Sequence, residues 1–206
     1  MEQIQTFSDR QLDALREVAN IGAGHAATAL SQMTGQTIMI SVPRLVVSAV
    51  HEIPNHVSNG EEPVAAVLLR MLGDLTGLTL LVLPRATALR VAEMMAHKPE
   101  GTFTQMGPYE QSAIKEAGNI LSSAYLNALA EFMDMVLLPS PPQLEVDLSD
   151  AILTSTYLES SNGAEVVFVI ESEFYLKELN EQLRGFFFLL PDKVSLGKIL
   201  KAVRLG

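Results

Sequence analysis

The sequence predicts an α+β fold that is internally duplicated: an antiparallel sheet with pseudo-two-fold symmetry and two long helices packed on one of its faces. Three observations lead there. A polar pattern occurs twice, the order of helical and β-rich segments around it occurs twice, and small residues line one side of both candidate helices. In the pattern, Asp13, Glu17 and Asn20 are followed by Pro43, and Ser112, Glu116 and Asn119 by Pro142; each member of one set lies 99 positions from its counterpart. Leu15-Arg-Glu-Val-Ala-Asn-Ile-Gly aligns with Ile114-Lys-Glu-Ala-Gly-Asn-Ile-Leu at the same offset. A constant offset over half a chain marks duplication. The 206 residues therefore read as one domain of two homologous halves, about 8–98 and 106–206.

The elements follow in order. Ser8 and Gln11 form a capping box that opens a helix running to about Met33, and Gly35 ends it. Four β-rich runs come next: Thr37–Val42, Leu45–Val50, Val64–Met71 and Thr76–Leu83, with a turn expected from Asn55 to Pro63. Pro84 introduces a helix over Ala86–His97, and Pro99–Gly107 is a short linker. The second half repeats this with a helix from Pro108 to about Phe132. Strands are expected near Met135–Leu138, Leu144–Leu148, Ile152–Glu159, Val166–Glu171 and Phe186–Leu190, a loop or short helical turn over Lys177–Gly185, and a closing helix over Ser195–Val203. Leu83-Pro84 and Leu190-Pro191 repeat the junction before the closing helix.

Helical spacing places Asp13, Glu17, Asn20 and Gly24 on one stripe, with Leu15, Val18, Gly22, Ala26 and Ala29 toward a core. Ile114, Ala117, Leu121, Tyr125 and Ala128 take the inner places in the second copy. Gly22, Ala26 and Ala29, with Ala117, Gly118 and Ala128, would let the two helices approach closely. A solvated helix face would also be polar, but Asn is a mediocre mid-helix residue, and its recurrence at the same spacing points to function.

Composition narrows the classes. Apolar residues at 48% and charged residues at 18% argue for a packed core. A net charge of −10 disfavours nucleic acid and anionic membranes. The chain has no cysteine, hence no disulfide, thiol nucleophile or thiolate metal site. Met1–Asp9 lacks the basic and apolar regions of a signal peptide, and the apolar runs are too short to span a bilayer. A soluble cytoplasmic protein is expected. Gly22-Ala-Gly-His-Ala-Ala matches a dinucleotide fingerprint, yet a helix runs through it where a strand-to-helix turn is required. His25, His51, His56 and His97 stand alone, without metal-site spacing. No nucleophile elbow exists, since Ser122-Ser123 lie inside a helix.

The doubled Glu-x-x-Asn pattern resembles that of the CheC family of chemotaxis phosphatases, relatives of CheX and of the flagellar-switch phosphatase FliY. The likeness extends from about Leu12 to the end, carried by Glu17-Val-Ala-Asn-Ile-Gly-Ala-Gly-His-Ala-Ala-Thr-Ala-Leu and Pro141-Pro-Gln-Leu-Glu-Val-Asp. It implies the same architecture and a hydrolase acting on the aspartyl phosphate of a CheY-type response regulator. An amide has no useful pKa but can hold a water by its oxygen while its NH₂ donates elsewhere, as the water-orienting Gln of GTPases does. The resemblance implies that Asn20 and Asn119 orient the attacking water, while Glu17 and Glu116 pair with the receiver's lysine, with Asp13, Ser112, Pro43 and Pro142 supporting the motif. It implies no cofactor of the protein's own, because Mg²⁺ arrives with the phosphorylated receiver. It also implies a possible second partner, a CheD-type receptor deamidase, for which Asp147 is the expected contact. The alternative is a binding module that docks on a receiver or on CheD without catalysis. A flagellar-switch component would need a further C-terminal domain, and the chain ends at Gly206. A chain holding its own pseudo-dimer is expected to be a monomer. Asp13 adds a negative charge beside Glu17, so the second site is expected to be the more active.

Overall fold

The computed structural model describes residues 7–49, 63–159 and 166–205. The elements are α1 (Asp9–Thr34), β1 (Ile38–Ala49), β2 (Pro63–Gly73), β3 (Gly77–Pro84), α2 (Arg85–Met95), α3 (Pro108–Met133), β4 (Leu137–Pro139), β5 (Gln143–Leu148), α4 (Ser149–Glu159), β6 (Val166–Leu176), β7 (Glu181–Pro191) and α5 (Lys193–Leu205). Ser8 and Gln11 cap α1 reciprocally: the Ser8 N–H donates to Gln11 Oε1 at 2.8 Å and the Gln11 N–H to Ser8 Oγ at 3.4 Å. Gly35 ends α1 at φ 66°, the left-handed conformation that glycine adopts without penalty. Pro108 opens α3 in the first turn, where its missing N–H costs nothing.

The seven strands form one antiparallel sheet in the order β1-β6-β7-β3-β2-β4, with β5 beside β2 next to β4. This order is symmetric about the β3–β7 pair when β1 is matched to β4 and β5, β2 to β6 and β3 to β7. The first strand of each half pairs with the hairpin of the other: β1 with β6, and β4 and β5 with β2. Neither half closes its own sheet.

Two sequence expectations meet in the edge strands. The runs Thr37–Val42 and Leu45–Val50 are one strand as far as Ala49, with a register shift between Ser41 and Arg44 where Pro43 sits; Val50 lies outside the described residues. Proline cannot donate to the ladder, so the chain bulges and resumes. At the matching place in the second half two prolines, Pro141 and Pro142, end β4 at Pro139, and β5 starts at Gln143.

Both faces of the central strands are buried. Ala65, Val67, Leu69, Leu81, Leu83, Ile170, Phe187 and Leu189 belong to the core shared with α1, α2, α3 and α5. Val64, Ala66, Leu80, Val82, Val169, Phe186 and Phe188 form a second cluster with Ile152 and Leu153 of α4. The segment Ile152–Glu159 is therefore a helix and not the expected strand. Its β-rich composition is overridden by burial of Ile152, Leu153 and Thr156, a helical spacing. The segment Lys177–Gly185, expected as a loop or short helical turn, is a tight hairpin turn with Asn180 at φ 51°, followed directly by β7. Gly185 lies inside that strand, where a Cβ would be 2.7 Å from Leu83 Cδ2. The turn expected over Asn55–Pro63 lies outside the described residues except for Pro63, which opens β2.

The linker is pinned down. Glu93, buried in α2, accepts the Phe103 N–H at 2.9 Å and lies 3.5 Å from Arg90, whose Nε donates to Glu181 at 2.9 Å. The long helices meet where glycine permits it. A Cβ on Gly22 would lie 2.9 Å from Tyr125 Cα and 3.3 Å from the Ala124 carbonyl. Gly118 serves the sheet instead of the helix pair: its Cβ would lie 2.7 Å from Val67 Cβ. Tyr125 stacks on Phe187 with centroids 4.6 Å apart and shares a 2.9 Å hydrogen bond with Ser172. Burial pushes its phenol up to about 12.

Because backbone faces Gly22, the crossing has no soft neighbour to yield. Gly22→Ala should destabilise the fold by about 1–3 kcal/mol despite alanine's better helix propensity. Calorimetry should show this as a lower Tm, and an unchanged Tm would mean the helices are not held at this distance.

Candidate functional site

The same packing that buries one side of each long helix leaves the other side outward. Leu15, Val18, Ala19, Gly22 and Ala26 are buried on α1, while Asp13, Glu17 and Asn20 are exposed. Ile114, Ala117, Leu121, Tyr125 and Ala128 are buried on α3, while Ser112 and Glu116 are exposed and Asn119 is half-buried. Ala29, expected inward, is also half-buried. No hydrogen bond or ion pair within the described residues engages the side chains of Glu17, Asn20, Glu116 or Asn119. Each helix thus presents an unneutralised carboxylate and, one turn on, an amide free to take new partners.

The two presentations differ. Asn20, Ile21 and Gly24 are exposed, whereas Asn119, Ile120 and Ser123 at the matching positions are half-buried. The cause is the surroundings: α3 packs against α1, α2 and the β4 and β5 edge, while α1 is covered by α3 and β1 with lighter contacts to α2 and α5. Asp13 lies 3.5 Å from the exposed Arg16, one turn on; Lys115 takes the matching place on α3, so the first site keeps one more negative charge than the second. Arg16 was missed in the sequence although its i,i+3 spacing from Asp13 signals the pair.

The remaining motif residues lie elsewhere. Pro43 and Pro142 mark the register breaks of the edge strands, so their direct effect is on strand geometry. Asp147 is exposed on β5, opposite Val64 of β2, and its Oδ1 accepts the Leu148 N–H at 2.7 Å. Gln143, Glu145, Val146 and Leu148 on the same strand are also exposed. Among the described residues no three His, Asp or Glu converge in a metal-binding group, and none of the described helices is long and apolar enough to cross a membrane.

These features define a class: an internally duplicated α+β protein that offers one Glu-Asn pair from each of two abutting helices. The model of the CheC-like family matches residues 11–47 and 110–146, segments that hold Glu17, Asn20 and Pro43, then Glu116, Asn119 and Pro142. Over 199 residues the chain is 32% identical to the CheY-P phosphatase CheC of Bacillus subtilis, covering 96% of this chain and 95% of that one. The chain belongs to the CheC-like family. The crystal structure of FliY from Thermotoga maritima is similar with a TM-score of 0.82 at 22% identity, covering 98% of this chain and 99% of that chain. CheX in the CheX–CheY–BeF₃–Mg²⁺ complex of Borrelia burgdorferi is similar with a TM-score of 0.52 at 15% identity, covering 88% and 98%.

Proposed function

We propose that this chain hydrolyses the aspartyl phosphate of a CheY-type response regulator. Asn20 and Asn119 insert into the receiver and orient water; Glu17 and Glu116 pair with the receiver's lysine. The observation that carries the reading is the pair of outward-facing Glu and Asn side chains, one turn apart on each long helix and unpartnered among the described residues. Kinship with a CheY-P phosphatase supports the substrate class, and one structural neighbour comes from a CheX–CheY–BeF₃–Mg²⁺ complex. The reading places the protein in the cytoplasm with its receiver, as a monomer.

The chemistry asks little of the protein. An acyl phosphate is a mixed anhydride, so its P–O bond to the aspartate breaks readily. The water oxygen forms the new bond to phosphorus, the aspartate leaves as carboxylate, and the water proton departs with inorganic phosphate. The receiver brings Mg²⁺ and a lysine that stabilise charge, so the protein needs no cofactor of its own. What it supplies is placement: an amide whose oxygen accepts from the water and holds it in line. Carboxylate and lysine, drawn together as water leaves the interface, fix the approach. A binding module without catalysis would use the same helices, and the kinetic experiment separates the two.

Mixed with a phosphorylated cognate receiver and Mg²⁺, the protein should accelerate phosphate release, and Asn20→Ala with Asn119→Ala should abolish the acceleration. Both side chains lack partners among the described residues, so stability should stay within about 0.5 kcal/mol of the parent. Undiminished turnover in that folded double variant would refute the assignment; binding without acceleration by the parent would leave the module.

A CheD-type deamidase is proposed as a second partner at Asp147, supported by the exposure of this carboxylate on an edge strand with Val146 and Leu148 also exposed. Pull-down with the cognate deamidase should recover the parent and lose Asp147→Lys. Equal recovery would remove Asp147 from the interface.

A further inference from the structure

Two glycines of the long helices are explained by packing, and one is not. Gly22 and Gly118 sit where any Cβ would collide with Tyr125 or Val67. A Cβ built on Gly24 meets nothing within 4 Å, and its backbone is ordinary helix. Glycine inside a helix is less favourable than alanine because it has more freedom to lose. So α1 carries a destabilising, exposed residue that nothing among the described residues requires.

Its location is specific. Gly24 lies four residues after Asn20, hence on the next turn of the same stripe. Ile21, beside Asn20, is 43% exposed. Thr28, another turn on, donates its hydroxyl to the Gly24 carbonyl at 3.0 Å, which holds that hydroxyl against the helix. Beyond Asn20 the stripe therefore changes character, from Asp13, Arg16 and Glu17 to bare backbone beside an exposed Ile. The matching position on α3 is Ser123, half-buried. Gly197 of α5 is equally open but lies on a helix without a Glu-Asn pair, which makes it a natural control.

On the functional reading above, we propose that Gly24 is a positioning residue for the first site. The receiver's surface closes on α1 at Gly24, packs beside Ile21, and thereby sets the depth to which Asn20 reaches. A side chain at position 24 holds the receiver away by roughly the length of a C–C bond, about 1.5 Å. Misplacement on the order of 1 Å is enough to cost a water-orienting group much of its effect. The second site has a hydroxymethyl there, so the two sites engage the receiver at different depths.

The test uses the full-length chain with Asn119→Ala, so that only the first site turns over. Adding Gly24→Ala should raise Tm by about 2 °C, from the gain in helix propensity. It should lower kcat/KM about tenfold, mainly through kcat, and Gly24→Leu should lower it further. Gly197→Ala should raise Tm similarly and leave the kinetics alone. Gly24→Leu with the kcat/KM of the Asn119→Ala parent would overturn the proposal while leaving the functional reading intact. Activity surviving in the Asn20→Ala, Asn119→Ala protein would overturn the functional reading, and this proposal with it.

Discussion

Everything in this molecule hangs on the exchange of first strands between its halves. β1 completes the sheet beside β6, β4 and β5 complete it beside β2, and the β3–β7 ladder joins the hairpins across the pseudo-dyad. An unpaired strand edge exposes N–H and C=O groups that a half alone would leave open. Pairing them with the other half makes the sheet continuous, and a continuous sheet gives α1 and α3 a common floor. Over that floor the helices close until Gly22 meets the backbone of Tyr125. Their remaining faces can then only point away from the core.

That geometry matches the chemistry asked of it. Glu17 and Glu116 are exposed carboxylates without partners among the described residues, and on the proposed function they meet a cation that the receiver supplies. Asn20 and Asn119 follow one turn on, on helices of 26 residues each that are anchored along their inner sides. On the proposed function rigid presentation matters, because a group that only places a water gains nothing if it wanders. Duplication does not make the copies identical. α2 packs more heavily on α3 than on α1, and Asn119 is half-buried where Asn20 is open.

The long helices and the Glu-Asn stripes were legible because a repeat at helical spacing states both the element and its outward face. Caps at Ser8 and Gly35 were legible for a similar reason: they depend on local bonds. What escaped depended on partners distant in sequence. Ile152–Glu159 has strand-like composition, and only the sheet face it covers makes it α4. Pro43 reads as a strand end, but pairing with β6 on both sides of it carries the strand through. Gly118 and Gly22 are alike in sequence, yet one answers to Val67 of the sheet and the other to the partner helix. Gly185 reads as a turn residue and is a packing glycine. The cross-half pairing itself leaves no periodicity to read, since a strand pattern names a face and never a neighbour.

The central claim is that one receiver site is built twice on one chain. Stoichiometry tests it most directly: titrate the protein with its cognate receiver held active by beryllofluoride and Mg²⁺, and measure the complex mass by sedimentation and the molar ratio by calorimetry. The account predicts two receivers per chain at saturation, falling to one when a single Glu-Asn pair is replaced by alanine. A complex that saturates at one receiver, or that keeps two after either pair is removed, would contradict it.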